Sequence, residues 1–333
     1  MRPDSGTALV TGASGFIGSH LARRLLADGV PLRLFVRDPM RLDPALRDVP
    51  CRIGDLADER ALREAVRGVS RIFHCAANVA TWDSWERYQA TNVAGVQNLL
   101  DSIVAERPAL SRLVHVSTVD VYGFPAEPAD EESPAPGGEF GYGRSKAQGE
   151  ALLRASCARL GLPFAIVRPA NVIGPGSQFT DRVGRELDRG LMLTIDGGRA
   201  NAGILHVGNL VDTLLWLGES PQALGRVFNA RDAVDLSWAQ FLWRLRTAIG
   251  GRGRILDLPY RAADAAAGAF EAVHRALHLR GEPLLHRLLV RLFGRTCGHD
   301  AGRLRAARGA PDRIGPEEAI ASGARWYLER KRA

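Results

Sequence analysis

The stretch that decides the fold is LVTGASGFIGSHLARRLL, residues 9–26, in which Gly12, Gly15 and Gly18 recur at intervals of three. A short apolar run precedes the glycines and apolar residues at helical spacing follow, so they mark a turn from a strand into a helix. Glycine permits the backbone angles of such a turn and lets a phosphate approach the N–H groups at the helix start. An ordinary strand-to-helix turn is the alternative for the triplet alone. The predicted dinucleotide contacts here are Gly12, Ser14, Gly15, Phe16, Ile17 and Gly18.

The second strand, within 32–38, ends where an adenosine ribose is expected to bind. It ends in Arg37 followed by Asp38, whereas folds that prefer NAD place an acid there for the ribose hydroxyl. A guanidinium suits a ribose 2′-phosphate, so Arg37 predicts NADP as the cofactor. The alternative is a solvated Arg37, with Asp38 binding the hydroxyl and NAD as the cofactor. Further cofactor contacts are expected at later strand ends, from Asp55, Leu56, Ala76 and Ala77.

Strand-like and helical segments alternate along the first half of the chain. This alternation predicts an α/β fold of the Rossmann type, a doubly wound parallel sheet covered by helices on both faces. Beyond residue 174 the pattern is less regular, which predicts a smaller, discontinuous C-terminal substrate lobe. The predicted ranges are 1–173 for the nucleotide-binding domain, with 204–233 returning to it, 174–203 and 234–308 for the substrate lobe, and 309–333 for a C-terminal helix.

Tyr142 and Lys146 in YGRSK stand four residues apart, a spacing that puts both side chains on one face of a helix. An ammonium beside a phenol favours the phenolate and is expected to lower the phenol pKa, so the pair can move a proton at a hydroxyl or carbonyl oxygen. The strand in HVSTVDVYG ends in Ser117 and Thr118, and a hydroxyl there can bind the same oxygen. Asn92 lies on a helix that faces this edge, where it can hold a water of a proton relay. Each of these candidates also has a simpler explanation. The four-residue spacing of Tyr142 and Lys146 can arise by chance, Thr118 can simply end a strand, and Asn92 can bind a backbone carbonyl.

Composition limits the compartment and the partners. The chain has 333 residues, 46% of them apolar, and a formal charge of +7. No apolar run is long enough to cross a membrane and no secretion signal is evident, so we expect a cytoplasmic protein. The four cysteines match neither a metal site nor a disulfide framework, and no metal is predicted.

Arginine is concentrated in residues 280–308, where seven arginines stand against one glutamate and one aspartate. We expect a solvated helix face there, with peripheral contact to an anionic membrane surface as the alternative. No motif accompanies the basic charge, so no nucleic-acid partner is predicted. The expected partner is a small-molecule substrate.

In combination these features resemble the extended short-chain dehydrogenase/reductase superfamily, which includes NAD-dependent epimerases and dehydratases. The resemblance covers nearly the whole chain and is carried by the glycine turn, Asp55, Asn92, Ser117-Thr118, Tyr142, Lys146 and RPANVIGPG at 168–176.

That resemblance implies a Rossmann fold with NAD(P), an enzyme, and definite roles for several residues. Thr118 would bind the substrate oxygen, and Lys146 would also hold the nicotinamide ribose. Cofactor contacts are further implied at Ser117, Pro169 and Asn171, in addition to Tyr142 and Lys146. A homodimer is expected through the helices at 89–105 and 142–160.

Three branches of the superfamily remain open. Sugar-nucleotide 4,6-dehydratases have a motif like STDEVYG at the strand end where this chain has STVDVYG. Val119 replaces the first acid of that motif, which argues against dehydratase activity. Sugar-nucleotide epimerases carry a diphosphate-binding arginine where this chain has Ala202. Arg199, three residues earlier, could replace that arginine only if the loop bends. Asn171 in RPAN does match the sugar enzymes, so this branch stays open. The branch of 3β-hydroxysteroid dehydrogenases and dihydroflavonol reductases is the most similar, in LFVRDPMRL at 34–42 and in the arginine-bearing helices of the C-terminal third.

The expected function is therefore NADP-dependent interconversion of a secondary alcohol and a ketone on a largely apolar small molecule. One alternative is epimerisation of a nucleotide sugar by the same residues. A second alternative, of another class, is a regulatory protein that senses NADP; such proteins commonly lack the Tyr/Lys pair, so its presence favours an enzyme.

Overall fold

A seven-stranded parallel sheet, in the order β3-β2-β1-β4-β5-β6-β10, forms the centre of the computed structural model, which describes residues 6–332. Residues 1–5 and 333 of the predicted domain ranges lie outside this description. The strands are β1 (Ala8–Thr11), β2 (Leu32–Val36), β3 (Cys51–Ile53), β4 (Arg71–His74), β5 (Arg112–Val116), β6 (Phe164–Pro169) and β10 (Arg226–Ala230). The strand order reverses between β1 and β4, which opens a crevice at the carboxyl ends of the strands. The predicted doubly wound Rossmann-type sheet is confirmed.

Helices cover both faces of this sheet, so its central strands are buried on both sides. The helices α1 (Phe16–Ala27) and α7 (Val207–Glu219) pack on one face. On the other face lie α2 (Glu59–Val66), α4 (Gly95–Glu106) and α5 (Gly141–Leu160). The short helix α3 (Trp85–Gln89) leads through a π-helical turn, Ala90–Ala94, into α4.

A second apolar core, built around Trp238, lies beyond the carboxyl edge of the sheet. The elements after β6, apart from α7 and β10, are β7 (Asn171–Ile173), α6 (Gln178–Arg189), β8 (Leu191–Ile195), β9 (Ile204–His206), α8 (Trp238–Ile249), β11 (Arg254–Leu258), α9 (Tyr260–Ala276), α10 (Arg287–Gly294), α11 (Gly302–Arg308) and α12 (Pro316–Arg332). Of these, α12 packs on α6 and α8, whereas Leu304 of α11 packs with the core under the sheet. The sequence-based domain boundaries stay a prediction. Within residues 6–332 there is no helix with both the length and the apolar character needed to cross a membrane.

Candidate active site

The glycine turn between β1 and α1 leaves a cradle that side chains would fill. Gly12 has φ +70°, and a Cβ on it would lie 2.8 Å from the backbone of Ala76. A Cβ on Gly18 would collide with the carbonyl oxygen of Gly12. Because α1 starts at Phe16 without a side-chain cap, its first N–H groups are free to bind an anion. The cradle therefore fits the diphosphate of a dinucleotide.

Replacing Gly18 by alanine is expected to weaken dinucleotide binding by at least about tenfold, because the turn must open to admit the methyl group. Fluorescence titration with NADPH measures the effect, and circular dichroism confirms that the variant is folded. Gly315→Ala is the matched control, since a Cβ there meets open space. Equal dissociation constants for the two variants would contradict the assignment of the turn.

The predicted adenosine contacts lie together at the end of β2 and β3. Arg37 and Asp55 are both largely exposed, and their charged groups are 3.9 Å apart. Asp38 starts the next turn, because its carboxylate accepts a hydrogen bond from the Met40 N–H, at 2.9 Å. Leu56 packs its side chain into the core, so only its backbone can face a ligand. The guanidinium of Arg37 is thus largely exposed, with Asp55 as its ion-pair partner, and the cofactor contacts themselves stay predictions.

Three of the predicted catalytic residues meet at the carboxyl edge of the sheet. Tyr142 lies in the first turn of α5, and Thr118, two residues after the end of β5, is near enough to influence the pKa of its phenol. Lys146 is one turn further along α5, is almost fully buried, and donates a hydrogen bond to the Val116 carbonyl at 2.7 Å. The buried hydroxyl of Ser117 has no hydrogen-bond partner among the described residues, and its cofactor contact stays a prediction. The site combines a phenol, a hydroxyl and an ammonium.

Burial decides the protonation states of this site. Burial raises the pKa of the Tyr142 phenol, and the Asp120 carboxylate raises it further, while the hydrogen bond from Thr118 opposes them less strongly. Burial also lowers the pKa of Lys146 to about 8, against the attraction of Glu150. The expectation that the phenol pKa is lowered is therefore wrong in direction, because desolvation and the Asp120 charge raise it. At neutral pH the phenol carries its proton and can donate it.

Asp120 is a site residue that the sequence reading used only as a mark of the branch. Burial raises the pKa of its carboxyl to about 6, and its N–H donates to the Thr118 hydroxyl at 3.2 Å. Its charge acts on Tyr142. Asp120 in STVDVYG could have been recognised from the sequence as a site residue, because it follows Thr118 at the same strand end.

Asn92 lies in the π-helical turn, and its side chain binds protein groups on two sides. It accepts from the Asn78 N–H at 2.8 Å and donates to the Asn78 carbonyl at 2.9 Å. It also donates to the Ser145 hydroxyl at 2.9 Å, which in turn donates to the carbonyl of Tyr142 at 2.8 Å. Asn92 thus joins the loop after β4 to the catalytic helix. Its part in a proton relay stays a prediction.

Glu150, eight residues after Tyr142 and on the same face of α5, forms a buried ion pair that the sequence reading missed. Its carboxylate accepts two hydrogen bonds from the Arg168 guanidinium, one of them at 3.0 Å. Arg168 also donates to the Tyr122 hydroxyl at 2.6 Å. The pair anchors α5 to β6 directly behind Lys146, and the spacing of four between 142, 146 and 150 was the signal that could have revealed it.

Five residues, which we call the clasp, hold the loop after β4 to the substrate lobe. Glu282 accepts hydrogen bonds from Thr81 at 2.9 Å and from Arg182 at 3.0 Å. Trp82 packs edge-on against His274, with ring centroids 5.8 Å apart. Because Asn92 ties the same loop to α5, the clasp connects α6, α9 and the segment after α9 to the loop beside the catalytic edge. No local sequence signal pairs residues that lie 201 positions apart, as Thr81 and Glu282 do.

Four of the predicted cofactor contacts lie at the ends of β4 and β6 or just after them. Pro169 is buried at the end of β6. The Asn171 amide donates to the Ala202 carbonyl at 2.6 Å, so its side chain serves a backbone contact. Ala76 and Ala77 are half-buried just after β4, and the backbone of Ala76 lies beside Gly12. The cofactor contacts of these four residues stay predictions.

Comparison with known proteins places this site in a family. The profile of the "NAD dependent epimerase/dehydratase family" matches residues 8–230. A 4-hydroxy-2-methyl-3-oxo-4-farnesyl-3,4-dihydroquinoline-1-oxide ketoreductase from Stigmatella aurantiaca is 29% identical over 321 residues, 93% of each chain. A 2-alkyl-3-oxoalkanoate reductase from Stenotrophomonas maltophilia (strain K279a) is 29% identical over 85% of this chain and 87% of its own.

Solved structures share the fold. The structure of MoeE5 in complex with UDP-glucuronic acid and NAD superposes with a TM-score of 0.79 at 24% identity, covering 98% of this chain and 100% of that one. The matched family profile spans the sheet, the glycine turn and the Tyr142/Lys146 pair. The chain is therefore an enzyme of the NAD dependent epimerase/dehydratase family, within the extended short-chain dehydrogenases/reductases.

Proposed function

We propose that this enzyme reduces a ketone on a largely apolar small molecule to a secondary alcohol, with NADPH as the preferred cofactor. The observation that carries the proposal is the buried Tyr142 phenol, which holds its proton at neutral pH beside the Thr118 hydroxyl. A protonated phenol suits the donation of a proton to a carbonyl oxygen, which reduction requires.

The residues divide the reaction between them. The substrate carbonyl oxygen accepts hydrogen bonds from Thr118 and Tyr142, which polarises the carbonyl. The glycine turn would hold the diphosphate of NADPH, which would supply a hydride to the carbonyl carbon. Tyr142 gives its proton to the oxygen, and the C=O π electrons become the O–H bond of the alcohol. Lys146 would hold the nicotinamide ribose, and its ammonium stabilises the phenolate left on Tyr142.

Ala202 supports a reductase over an epimerase of nucleotide sugars. It stands where the resemblance puts the diphosphate-binding arginine of epimerases, and it is fully buried in the core around Trp238. Arg199 is exposed at the end of a short turn three residues earlier. The full-length relatives from S. aurantiaca and S. maltophilia carry names of reductases that act on ketones with farnesyl or alkyl groups. These points favour an apolar ketone substrate.

Net oxidation of NADPH at 340 nm, with a panel of ketones of increasing alkyl length, tests the proposal. We expect turnover whose kcat/KM rises as the apolar part grows, because each buried methylene contributes about 0.8 kcal/mol. UDP-glucose is included as the competing substrate. Tightly held cofactor without net turnover, together with epimerisation of the nucleotide sugar, would instead assign the chain to the epimerases.

Arg37 is proposed as the residue that selects NADPH. Its guanidinium is 75% exposed, so Arg37→Ser leaves the fold intact while it removes the partner of the 2′-phosphate. We expect the dissociation constant of NADPH to rise about tenfold and that of NADH to stay the same. The control is Arg60→Ser, another exposed arginine, whose ion-pair partner is Glu64 on the same helix. An equal change for both cofactors would refute this role.

A further inference from the structure

Titratable groups from several elements surround Lys146 and its neighbour Tyr142. The Lys146 ammonium donates a hydrogen bond to the Val116 carbonyl at 2.7 Å, in a site whose burial lowers the pKa of the amine to about 8. In the described part of the chain, the titratable neighbours are Tyr142 and Glu150 on α5, His74 on β4 and Cys75 after it, His115 on β5, Asp120 in the turn after β5, and Tyr88 on α3.

The neighbours that come from β4 and β5 are uncharged at neutral pH. Burial lowers the pKa of His74 to about 3, and it also lowers the pKa of His115 well below its ordinary value, so both rings are neutral. Burial raises the pKa of the Cys75 thiol to about 12, so this group keeps its proton. These two strands therefore supply no counter-charge to the Lys146 ammonium.

Two carboxylates remain, and they act on different groups. Beyond the effects of burial, the Asp120 charge raises the pKa of Tyr142, whereas the Glu150 charge raises that of Lys146. Residues four apart on a helix are neighbours on its surface, with Cβ atoms about 5–6 Å apart, so Glu150 lies beside Lys146 on the side away from Tyr142. Within residues 6–332, Glu150 is thus the carboxylate whose charge acts on the buried ammonium.

Arg168 fixes this carboxylate in place. The side chains of Glu150 and Arg168 are 4% and 2% exposed, and the guanidinium donates to both carboxylate oxygens, from Nε at 3.0 Å. Through Nη1 it also donates to the Tyr122 hydroxyl at 2.6 Å, and that hydroxyl donates to the Asn229 side chain at 2.8 Å. A planar guanidinium that is bound on both sides holds the carboxylate in one orientation.

An anchor between α5 and β6 does not by itself require charged groups. Replacing a buried ion pair by apolar residues of similar volume is often neutral for stability, or stabilising. A carboxylate fixed one helical turn from a buried ammonium supplies what an apolar contact cannot, namely a charge that favours the protonated amine. The effect of Glu150 on Lys146 is attractive even with Arg168 bound to the carboxylate.

We propose that Glu150, held by Arg168, is a positioning residue that keeps Lys146 in its protonated, active form. Glu150 acts through Lys146 and takes no part in the chemistry itself. The consequence for turnover, unlike the effect on the amine, rests on the proposed function.

NMR of the lysine side chains tests the effect on the amine directly. The chain contains two lysines, Lys146 and Lys331, so labelling with carbon-13 at lysine Cε produces two signals, which Lys331→Met assigns. We expect the Lys146 signal of the wild type to titrate with a midpoint of about 8. Glu150→Gln should lower this midpoint by about one pH unit or more, because a nearby opposite charge changes a pKa by about 1–3. Glu150→Asp retains the charge and should bring the midpoint back toward the wild-type value.

Glu150→Leu/Arg168→Met keeps the test decisive if Glu150→Gln does not fold, because the double variant leaves no unpaired buried arginine. It too should lower the Lys146 midpoint. The matched control is Glu271→Gln, which removes another buried helical carboxylate, on α9, and should leave the Lys146 midpoint as in the wild type. An unchanged Lys146 midpoint in a folded variant that lacks Glu150 would overturn the proposal.

The pH profile of kcat/KM for a ketone measures the consequence for turnover. In Glu150→Gln the alkaline fall of kcat/KM should move to lower pH together with the Lys146 signal. For a midpoint one pH unit lower, kcat/KM at pH 8 drops about fivefold. A Lys146 midpoint that falls in Glu150→Gln, in an enzyme that reduces no ketone, would support the role of Glu150 and refute the proposed reaction.

Discussion

Tyr142→Phe is expected to lower the rate of ketone reduction by about 100- to 10,000-fold, the usual contribution of a positioned acid. The variant keeps the aromatic ring and loses only the hydroxyl that donates the proton, so the fold should persist and the affinity for NADPH should fall far less than the rate. Stopped-flow absorbance at 340 nm measures hydride transfer, and fluorescence titration measures cofactor binding. The separation of these two readouts distinguishes a lost proton donor from a damaged site.

Tyr327→Phe provides the control for this experiment. It removes a phenol hydroxyl that donates to Asp188 at 3.2 Å, between α12 and α6. Its rate should equal that of the wild type. If Tyr142→Phe retained more than about a tenth of the wild-type rate, a loss of under 1.4 kcal/mol in the barrier, Tyr142 would not be the proton donor.

Lys146→Met is expected to abolish reduction and, without cofactor, to stabilise the fold. Burial lowers the pKa of Lys146 from its ordinary value of 10.5 to about 8, so the folded state holds this charge at a cost. Between these pH values the unfolded chain binds more protons, so the wild type gains stability as pH rises from about 8 to 10.5. Below pH 8 the full cost is present. Methionine removes the charge and should raise the free energy of unfolding at pH 7 by on the order of 1–2 kcal/mol.

Thermal unfolding measures the gain in stability of Lys146→Met. The pH profile of kcat/KM of the wild type measures the role of Lys146 in the reaction. Because the protonated amine is the active form, reduction should fall as pH rises through about 8. Lys146 and Lys331 are the two lysines of the chain, so Lys331→Met, which breaks a surface pair with Asp188, is a natural control. Lower stability in Lys146→Met than in Lys331→Met would contradict the account of a strained, functional lysine.

The parts of this molecule that depend on local sequence were predictable. Gly12 and Gly18 fix a turn that few other residues permit, and the spacing of Tyr142 and Lys146 sets their common face once the segment is helical. Parallel strands then bring Thr118 to the same edge, because carboxyl ends align in a βαβ fold. The sheet and the catalytic cluster therefore follow from pattern and topology.

The parts that depend on tertiary burial were not predictable. The direction of the shift in the pKa of Tyr142 depends on desolvation and on Asp120, neither of which a helical spacing reports. The clasp joins Thr81 to Glu282, which are far apart in the sequence, and no sequence periodicity near either residue indicates this contact. The sequence hinted at the Arg168–Glu150 pair only in that Glu150 continues the four-residue spacing of Tyr142 and Lys146. The burial of this pair comes from the packing of α5 on the sheet.

A crystal structure of the enzyme with NADP⁺ and an alcohol product tests the central claim most directly. The account predicts the product oxygen within about 2.6–3.2 Å of both the Tyr142 hydroxyl and the Thr118 hydroxyl, with the carbinol carbon facing the nicotinamide ring. The Lys146 amine should contact the nicotinamide ribose in the same complex. A nicotinamide ring bound away from Tyr142, or a product oxygen held by other groups, would contradict it.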